Sequence, residues 1–458
     1  MSLPEGMKQK NVHLESLEIE GNHSLSFMTR GQLPSSLKQL RLIECEKLQY
    51  VFADADETHT SSSYSVIHEK NINDFNTFLE SMSVISCPSL MYLSTRDQLP
   101  TTLRYLYINN CAMITTLSRG QLPDSLQDLS IYSCPTLESI TERFHNSMLL
   151  ETITISNCEN FESIPEGIHK LRRLREIGIY RCPSLVCFPE EGLPSTNLRD
   201  FNIDDCKNLK ALPRGMQTLN FLRIWSCPSI KSFPEECFPT KLRKLEIGNL
   251  DMYEQIIQWG LPNLTSLTSL QIHEFPDVES FEIVKVLPTS LTHLIISQFP
   301  KLKYISSYGF QNLTSLVSFY IEDCPNLISF LKKGLPSSLM ELHIYDCPLL
   351  RKRCRRDKDA FVRSCLCDLF EDGHDTMQIK GHIFVDLVIS LMSKSCLSQS
   401  QITDTVIVSV YKYNSFGPGL FSAGVHSLGG ILSKFTFGEG NCVTDYLANI
   451  GGRIKFTA

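Results

Sequence analysis

Apolar residues fall on every second position in a short phrase that recurs along most of the chain, as in Leu106-Tyr107-Ile108 and Leu342-His343-Ile344. A two-residue alternation predicts a strand with one face buried and the other open. Written as L-x-x-L-x-I-x-x-C, the phrase occurs fourteen times, and its last position falls at Asn22, Cys45, Cys87, Cys111, Cys134, Cys158, Cys182, Cys206, Cys227, Leu250, Phe275, Phe299, Cys324 and Cys347. Successive endings lie 21 to 25 residues apart, with a single step of 42. LPSSLKQLRLIECEKL, from Leu33 to Leu48, is nearly rewritten as LPSSLMELHIYDCPLL, from Leu335 to Leu350.

A period near 24 on this frame is the leucine-rich-repeat signature. It predicts an α/β repeat solenoid with a curved parallel β-sheet on the concave face, one strand per unit, and an irregular or short-helical convex side. One unit cannot bury its apolar face alone, so the units must stack. The terminal Cys asks for a small residue with little hydration demand where the chain turns inward. Leu250, Phe275 and Phe299 take the same place, so thiol chemistry is dispensable there. Pro follows this position in eight units, among them Cys87-Pro88, Cys182-Pro183 and Phe299-Pro300, and ends the strand because it has no amide donor. The opening LPxSL, as at Leu122-Pro123 and Leu287-Pro288, favours an extended connection over a regular helix.

The organisation expected is a solenoid over residues 1–354 and a non-repeat tail over 355–458. The long step contains ADADETHTSSSYSVIHEKNIND, polar and aperiodic, which reads as a loop inserted near 53–76. The tail has an apolar run from Ile383 to Met392 and a strand-like alternation from Thr403 to Tyr413, without an assignable fold.

Composition narrows the function classes. The net charge of −7 gives no reason to expect nucleic acid as a partner. From Arg355 onward ten basic and ten acidic residues cancel, so the acidic excess belongs to the repeats. The first twenty residues hold no apolar run of signal-peptide length, and no segment has the roughly 18 apolar residues of a membrane span, so a cytoplasmic chain with no membrane partner is expected. Seventeen cysteines is an odd number that follows the repeat rather than a disulfide framework. H-E-x-x-H, G-x-S-x-G, C-x-x-C and glycine-rich dinucleotide loops are all absent from the sequence, so no enzyme and no cofactor are expected. Cys354, Cys365, Cys367 and His374 do not match a common zinc spacing, and no metal is expected there.

The phrases GQLPSSLKQLRLIECEKL, GQLPDSLQDLSIYSCPTL and GLPSSLMELHIYDCPLLRKRC resemble the C-terminal leucine-rich repeats of plant intracellular nucleotide-binding (NB-ARC) disease resistance proteins of the coiled-coil type. The resemblance spans roughly residues 1 to 356. It implies a recognition module of plant innate immunity that senses a pathogen effector or host protein and regulates the nucleotide-binding domain of the parent receptor. Two features depart from the family. The chain has no G-x-x-x-x-G-K-[ST] phosphate loop, and its tail lacks the family's tryptophan-containing ending, so a fragment or truncated member is expected. The alternative is a substrate-binding adaptor of a ubiquitin ligase, though LPxSL connections replace that class's helical repeats. An extracellular receptor would carry G-x-I-P phrases, which do not occur.

Function in such a sheet belongs to its outward side chains. Tyr132, Tyr180, Asp204, Trp225, His273 and Tyr345 follow the frame's Ile, and Tyr107, Arg223, Tyr320 and His343 precede it; alternation turns both rows to solvent. Tyr and Trp beside Arg are what protein interfaces favour, although aromatics also suit strands through packing alone. Asp200, Asp204 and Asp205 on one coil, against Arg223 and then Arg243 and Lys244 on the next two, form a charge contrast able to steer a partner or simply a solvated face. RKRCRRDK, Arg351 to Lys358, reads as a basic end cap, and the leucines of Asn263-Leu-Thr265 and Asn312-Leu-Thr314 as core residues.

Overall fold

The computed structural model describes residues 13–29, 33–53, 78–95, 99–118, 120–230, 239–248, 261–281, 287–305, 310–328, 336, 338–350 and 376–380. Leu250, the tail runs from Ile383 and Thr403, the four Cys/His positions from Cys354 to His374 and the basic cluster lie outside them. Residues up to Leu339, with Asp346–Leu350, form one compact unit, and Met340–Tyr345 belongs to a second.

The first unit is a parallel β-solenoid of leucine-rich-repeat type. Thirteen strands line up in chain order: β1 (Ser16–Glu20), β2 (Gln39–Ile43), β3 (Ser81–Ile85), β4 (Tyr105–Asn109), β5 (Asp128–Tyr132), β6 (Thr152–Ser156), β7 (Glu176–Tyr180), β8 (Asp200–Asp204), β9 (Phe221–Trp225), β10 (Lys244–Gly248), β11 (Ser269–His273), β12 (His293–Ser297) and β13 (Ser318–Glu322). Each is the x-L-x-I-x core of one sequence phrase. Corresponding positions pair, so Tyr132, Ser156, Tyr180, Asp204, Trp225, Gly248 and His273 stand in one row across seven strands. The fourteenth phrase forms β14 (Glu341–Tyr345) in the second unit, where it pairs antiparallel with β15 (Thr376–Lys380). The 42-residue step leaves the sheet intact, for β2 pairs with β3 in the same register, and residues 54–77 of the insertion lie outside the described residues.

The alternation works as the sequence predicts from β2 onward. The two inward residues of each strand, such as Ile153 and Ile155 or Ile177 and Ile179, are at most 1 % exposed from β2 through β13. Burying a Leu or Ile side chain contributes about 1.5–3 kcal/mol, and a 4.8 Å strand spacing of roughly this size lets each contact the same residue of both neighbouring coils. In β1 the corresponding Leu17 and Ile19 are half-buried, with β2 as the single described neighbour.

Just past thirteen of the fourteen repeat strands the backbone turns through a left-handed residue; the residue after β10 lies outside the described residues. Glu44, Ser86, Asn110, Ser133, Asn157, Arg181, Asp205, Ser226, Glu274, Gln298, Asp323 and Asp346 have φ between 49° and 59°, and Gly21 takes this place in the first phrase. In this conformation the amide still reaches the next strand, as Asn157 N–H donates to Tyr180 O at 2.9 Å and Arg181 N–H to Asp204 O at 2.7 Å. The ladder therefore gains one rung beyond the strand. The Cys that follows is buried, and its thiol donates to the carbonyl two residues earlier, 3.3 Å for Cys134 to Tyr132 and 3.0 Å for Cys227 to Trp225. Ten ladder cysteines are free and buried, while Cys187 off the ladder is free and exposed. The Cys87 thiol lies one coil from Cys45, and its proximity lowers the Cys45 thiol's pKa from the ordinary range. At two coils Phe275 and Phe299 replace the thiol with rings 5.7 Å apart, 2 % and 0 % exposed.

Cys-Pro-x-Leu is a β-turn. The Leu amide donates to the Cys carbonyl, at 3.2 Å for Leu137 to Cys134 and 3.3 Å for Leu185 to Cys182, and Pro supplies the fixed φ of the second position. LPxSL closes a second turn, with the Leu126 amide donating to Pro123 O at 3.1 Å and that of Leu291 to Pro288 O at 3.2 Å. The return side thus runs through turns and three-residue 3-10 helices such as Ile168–Lys170 and Met216–Thr218. It carries its own short parallel ladders, one of Met28–Thr29, Tyr50–Ala53 and Tyr92–Ser94 and another of Ser280–Phe281 and Tyr304–Ile305. Leu264, Leu267, Leu313 and Leu316 of the two NLTSL phrases fill the core as expected.

Candidate recognition surface

Three rows of side chains leave the open face of each strand: the residue before the frame's Leu, the one between Leu and Ile, and the one after Ile. In-register stacking puts equivalent residues on adjacent strands about 4.8 Å apart, so neighbours touch and most of the face is half-buried. Tyr107, Tyr132, Tyr180, Asp204, Arg223, Trp225, His273 and Tyr320 all lie on this face and are half-buried rather than freely solvated. Arg243 is exposed one residue before β10 and stands off the face. In the second unit Tyr345 is half-buried, but His343 is 3 % exposed, against the expectation of a solvent-facing row; Glu341 and Tyr345 close over it, at 3.7 Å and 3.3 Å.

Two clusters organise the face of the first unit. In the first, Tyr107 and Tyr132 meet with ring centroids 5.5 Å apart. Tyr180 folds back along its own strand over Gly178, where an added Cβ would lie 2.6 Å from the ring. Between Tyr132 and Tyr180 the in-register residues of β6 are short: Thr152, Thr154 and Ser156. The row beside them carries Asp128, Glu176 and Asp200. Burial pushes the Glu176 carboxyl above the usual carboxylate range, and Asp200 and Asp128 push it further. Asp200 is also raised by burial, and so are the Tyr132 and Tyr180 phenols.

In the second cluster the Trp225 and His273 rings stack 4.7 Å apart at 11°, although their strands are separated by β10. Gly248 occupies the intervening position, leaving room for two rings to close over it. The Arg223 guanidinium lies 3.8 Å over the Trp225 ring and pairs with Asp204 at 3.6 Å and Glu246 at 3.7 Å. Lys244 reaches Glu246 at 2.7 Å and sits 4.7 Å over Phe221. His273 Nδ1 shares a 2.8 Å hydrogen bond with Ser297, and burial lowers its pKa. The charge contrast noted in the sequence is met in part within the sheet: Arg223 and Lys244 are held by Asp204 and Glu246, and Lys207 by Asp205 at 3.6 Å, while Asp200 has no ion pair among the described residues. Three buried polar atoms on or beside this cluster have no hydrogen-bond partner: Asn202 Oδ1, Arg223 Nε and Trp225 Nε1.

Sequence reasoning missed Glu246, Gly178 and the acidic row of Asp128 and Glu176. The frame's first outward position would have found the acids, since it alternates with the same buried pair. Among the described residues there is no group of three or more His, Cys, Asp or Glu placed to hold a metal ion, and no helix long and apolar enough to cross a membrane.

No protein-family model and no curated protein matches the chain. Among solved structures, it is similar to the pneumococcal vaccine antigen PcpA at 12% identity and a TM-score of 0.21, covering 71% of this chain and 77% of that one. It is also similar to the plant peptide hormone receptor RGFR1 in complex with RGF2, at 14% identity and a TM-score of 0.19, covering 71% and 73%. At these scores neither likeness bears on function.

Proposed function

We propose that the chain is a non-enzymatic protein-recognition module of plant innate immunity, acting in the cytoplasm, which senses a pathogen effector or host protein on the open face of its sheet. Within a full-length receptor the same face regulates a nucleotide-binding switch domain. The observation that carries this reading is the pair of aromatic clusters on the open face between Tyr107 and His273, Tyr107 with Tyr132 and Arg223 with Trp225 and His273. Such side chains supply large contact areas at small entropic cost and dominate binding energy at interfaces. The repeat phrases that resemble those of nucleotide-binding immune receptors supply the biological setting.

The chain is screened against an arrayed panel of pathogen effectors and host defence proteins. At least one is expected to bind, and combining Tyr132→Ala, Tyr180→Ala and Trp225→Ala should weaken it by about 100-fold, the loss of two or three hot-spot residues. A folded triple variant that binds as tightly as the original contradicts the reading.

A further inference from the structure

We propose that the face of β5 to β8 is a site for a lysine or arginine side chain of an extended partner segment, with Tyr132 and Tyr180 as walls and Asp128, Glu176 and Asp200 as counter-charges. This rests on the face being a recognition surface and adds the chemistry of what it recognises.

The acids of this part of the face lack partner cations among the described residues. Several acids elsewhere on the face are paired, Glu18 with Arg41 at 2.9 Å, Asp204 with Arg223, and Glu246 with Lys244. Asp128, Glu176 and Asp200 occupy equivalent places on strands of one neighbourhood, and among the described residues none of them forms an ion pair. The basic residues nearest in sequence are turned to other tasks: Arg175 pairs with Glu151 at 3.6 Å, and Arg199 donates to Thr218 O at 3.1 Å. The charge is therefore concentrated and without an ion pair, eased only at Asp200 by the nearby Arg199. A partner's cation would supply what neighbouring coils supply elsewhere on the sheet.

The surroundings fit a side-chain cation better than a diffuse counter-ion. Tyr132 and Tyr180 stand on either side of β6, about 10 Å apart at the backbone, so a cation lying over the short Thr154 and Ser156 comes within the roughly 6 Å range of an aromatic face on both sides. One strand further, beside Gly178, the Asn202 side chain is 7 % exposed and its Oδ1 has no donor. Ammonium and guanidinium groups are donors with no acceptor, the complement of carboxylates and an amide oxygen. A backbone running across the strands would bring such a side chain to this point without meeting the Arg223 and Lys244 side chains on β9 and β10.

The test is calorimetric titration of the full chain with hexa-arginine, with hexacitrulline as the neutral isostere. Hexa-arginine is expected to bind and hexacitrulline not. Joining Asp128→Asn with Glu176→Gln should weaken binding at least tenfold, and joining Tyr132→Leu with Tyr180→Leu several-fold. A control with the same charge change at the ends of the face, Glu20→Gln with Glu322→Gln, should change it less than twofold. Glu176 lies among Asp128, Asp200 and the two phenols; burial and the two carboxylates oppose its ionisation, so binding should fade as the pH falls through the raised Glu176 range. No binding, equal binding of hexacitrulline, or equal losses in the control variant would overturn the proposal, the last by reducing it to diffuse attraction. If hexa-arginine fails while the Tyr132, Tyr180 and Trp225 triple variant still loses an effector, the recognition reading stands and only the cationic partner falls.

Discussion

Replacing Phe299 by alanine is expected to destabilise the solenoid by about 3–5 kcal/mol, near the upper end for a single core truncation. Phe299 is 0 % exposed, packs 5.7 Å from Phe275 and meets Phe281 edge-on at 5.8 Å. The informative comparison is Phe299→Cys, which restores the residue that most repeats carry at this place. A tally of repeat preferences predicts a gain. Packing predicts a loss, because the walls have closed around a ring and a thiol leaves most of the same cavity. We expect a loss of at least about 2 kcal/mol by urea denaturation followed by circular dichroism, since the cost tracks the volume left empty. A stabilised Phe299→Cys variant would show that the ladder position is autonomous and that neighbouring coils do not shape it.

The second large effect concerns Glu246, whose side chain is 9 % exposed and held by Arg223 and Lys244 together. Changing both cations to Met leaves a buried carboxylate without an opposite charge, and breaking a buried pair in this way costs about 3–5 kcal/mol. Lys244→Met alone should cost under about 1 kcal/mol, because Arg223 remains and Lys244 is half-exposed and screened. Adding Glu246→Gln to the double variant should recover most of the loss, since the neutral amide needs no cation. Without that recovery, the damage would lie in lost packing of Arg223 on Trp225 rather than in charge.

The strand positions could be read from the sequence because the physics that sets them is local and repeated. Leu and Ile two apart, followed by Cys-Pro, fix an inward face and a turn, and each coil writes the same instruction; even the 42-residue step keeps its register. The left-handed residue before Cys was not seen. Asn110, Asn157, Asp205 and Asp323 suit that conformation, but Glu44, Arg181 and Gln298 fill it elsewhere, so composition hides what the hydrogen bond to the next strand enforces. The face was legible as a row of residue types and not as an arrangement. Which aromatics would pair depended on Gly178 and Gly248, whose contribution is space. Arg243 passed for a face residue because a charge count ignores the one-residue difference between strand and edge. His343 looked exposed by alternation, yet its own strand neighbours cover it.

The central claim is that each phrase of about 24 residues advances the chain by one strand in unbroken register. Engineered disulfides test it most directly, because the bond needs Cα atoms about 4.4–6.8 Å apart. Ser130→Cys with Thr154→Cys places thiols opposite each other on β5 and β6, while Thr154→Cys with Asn202→Cys places them two strands apart. After mild oxidation and peptide mapping by mass spectrometry, the account predicts the first bond in high yield and the second not at all. Failure of the first with formation of the second would contradict the register, and with it the face on which recognition is built.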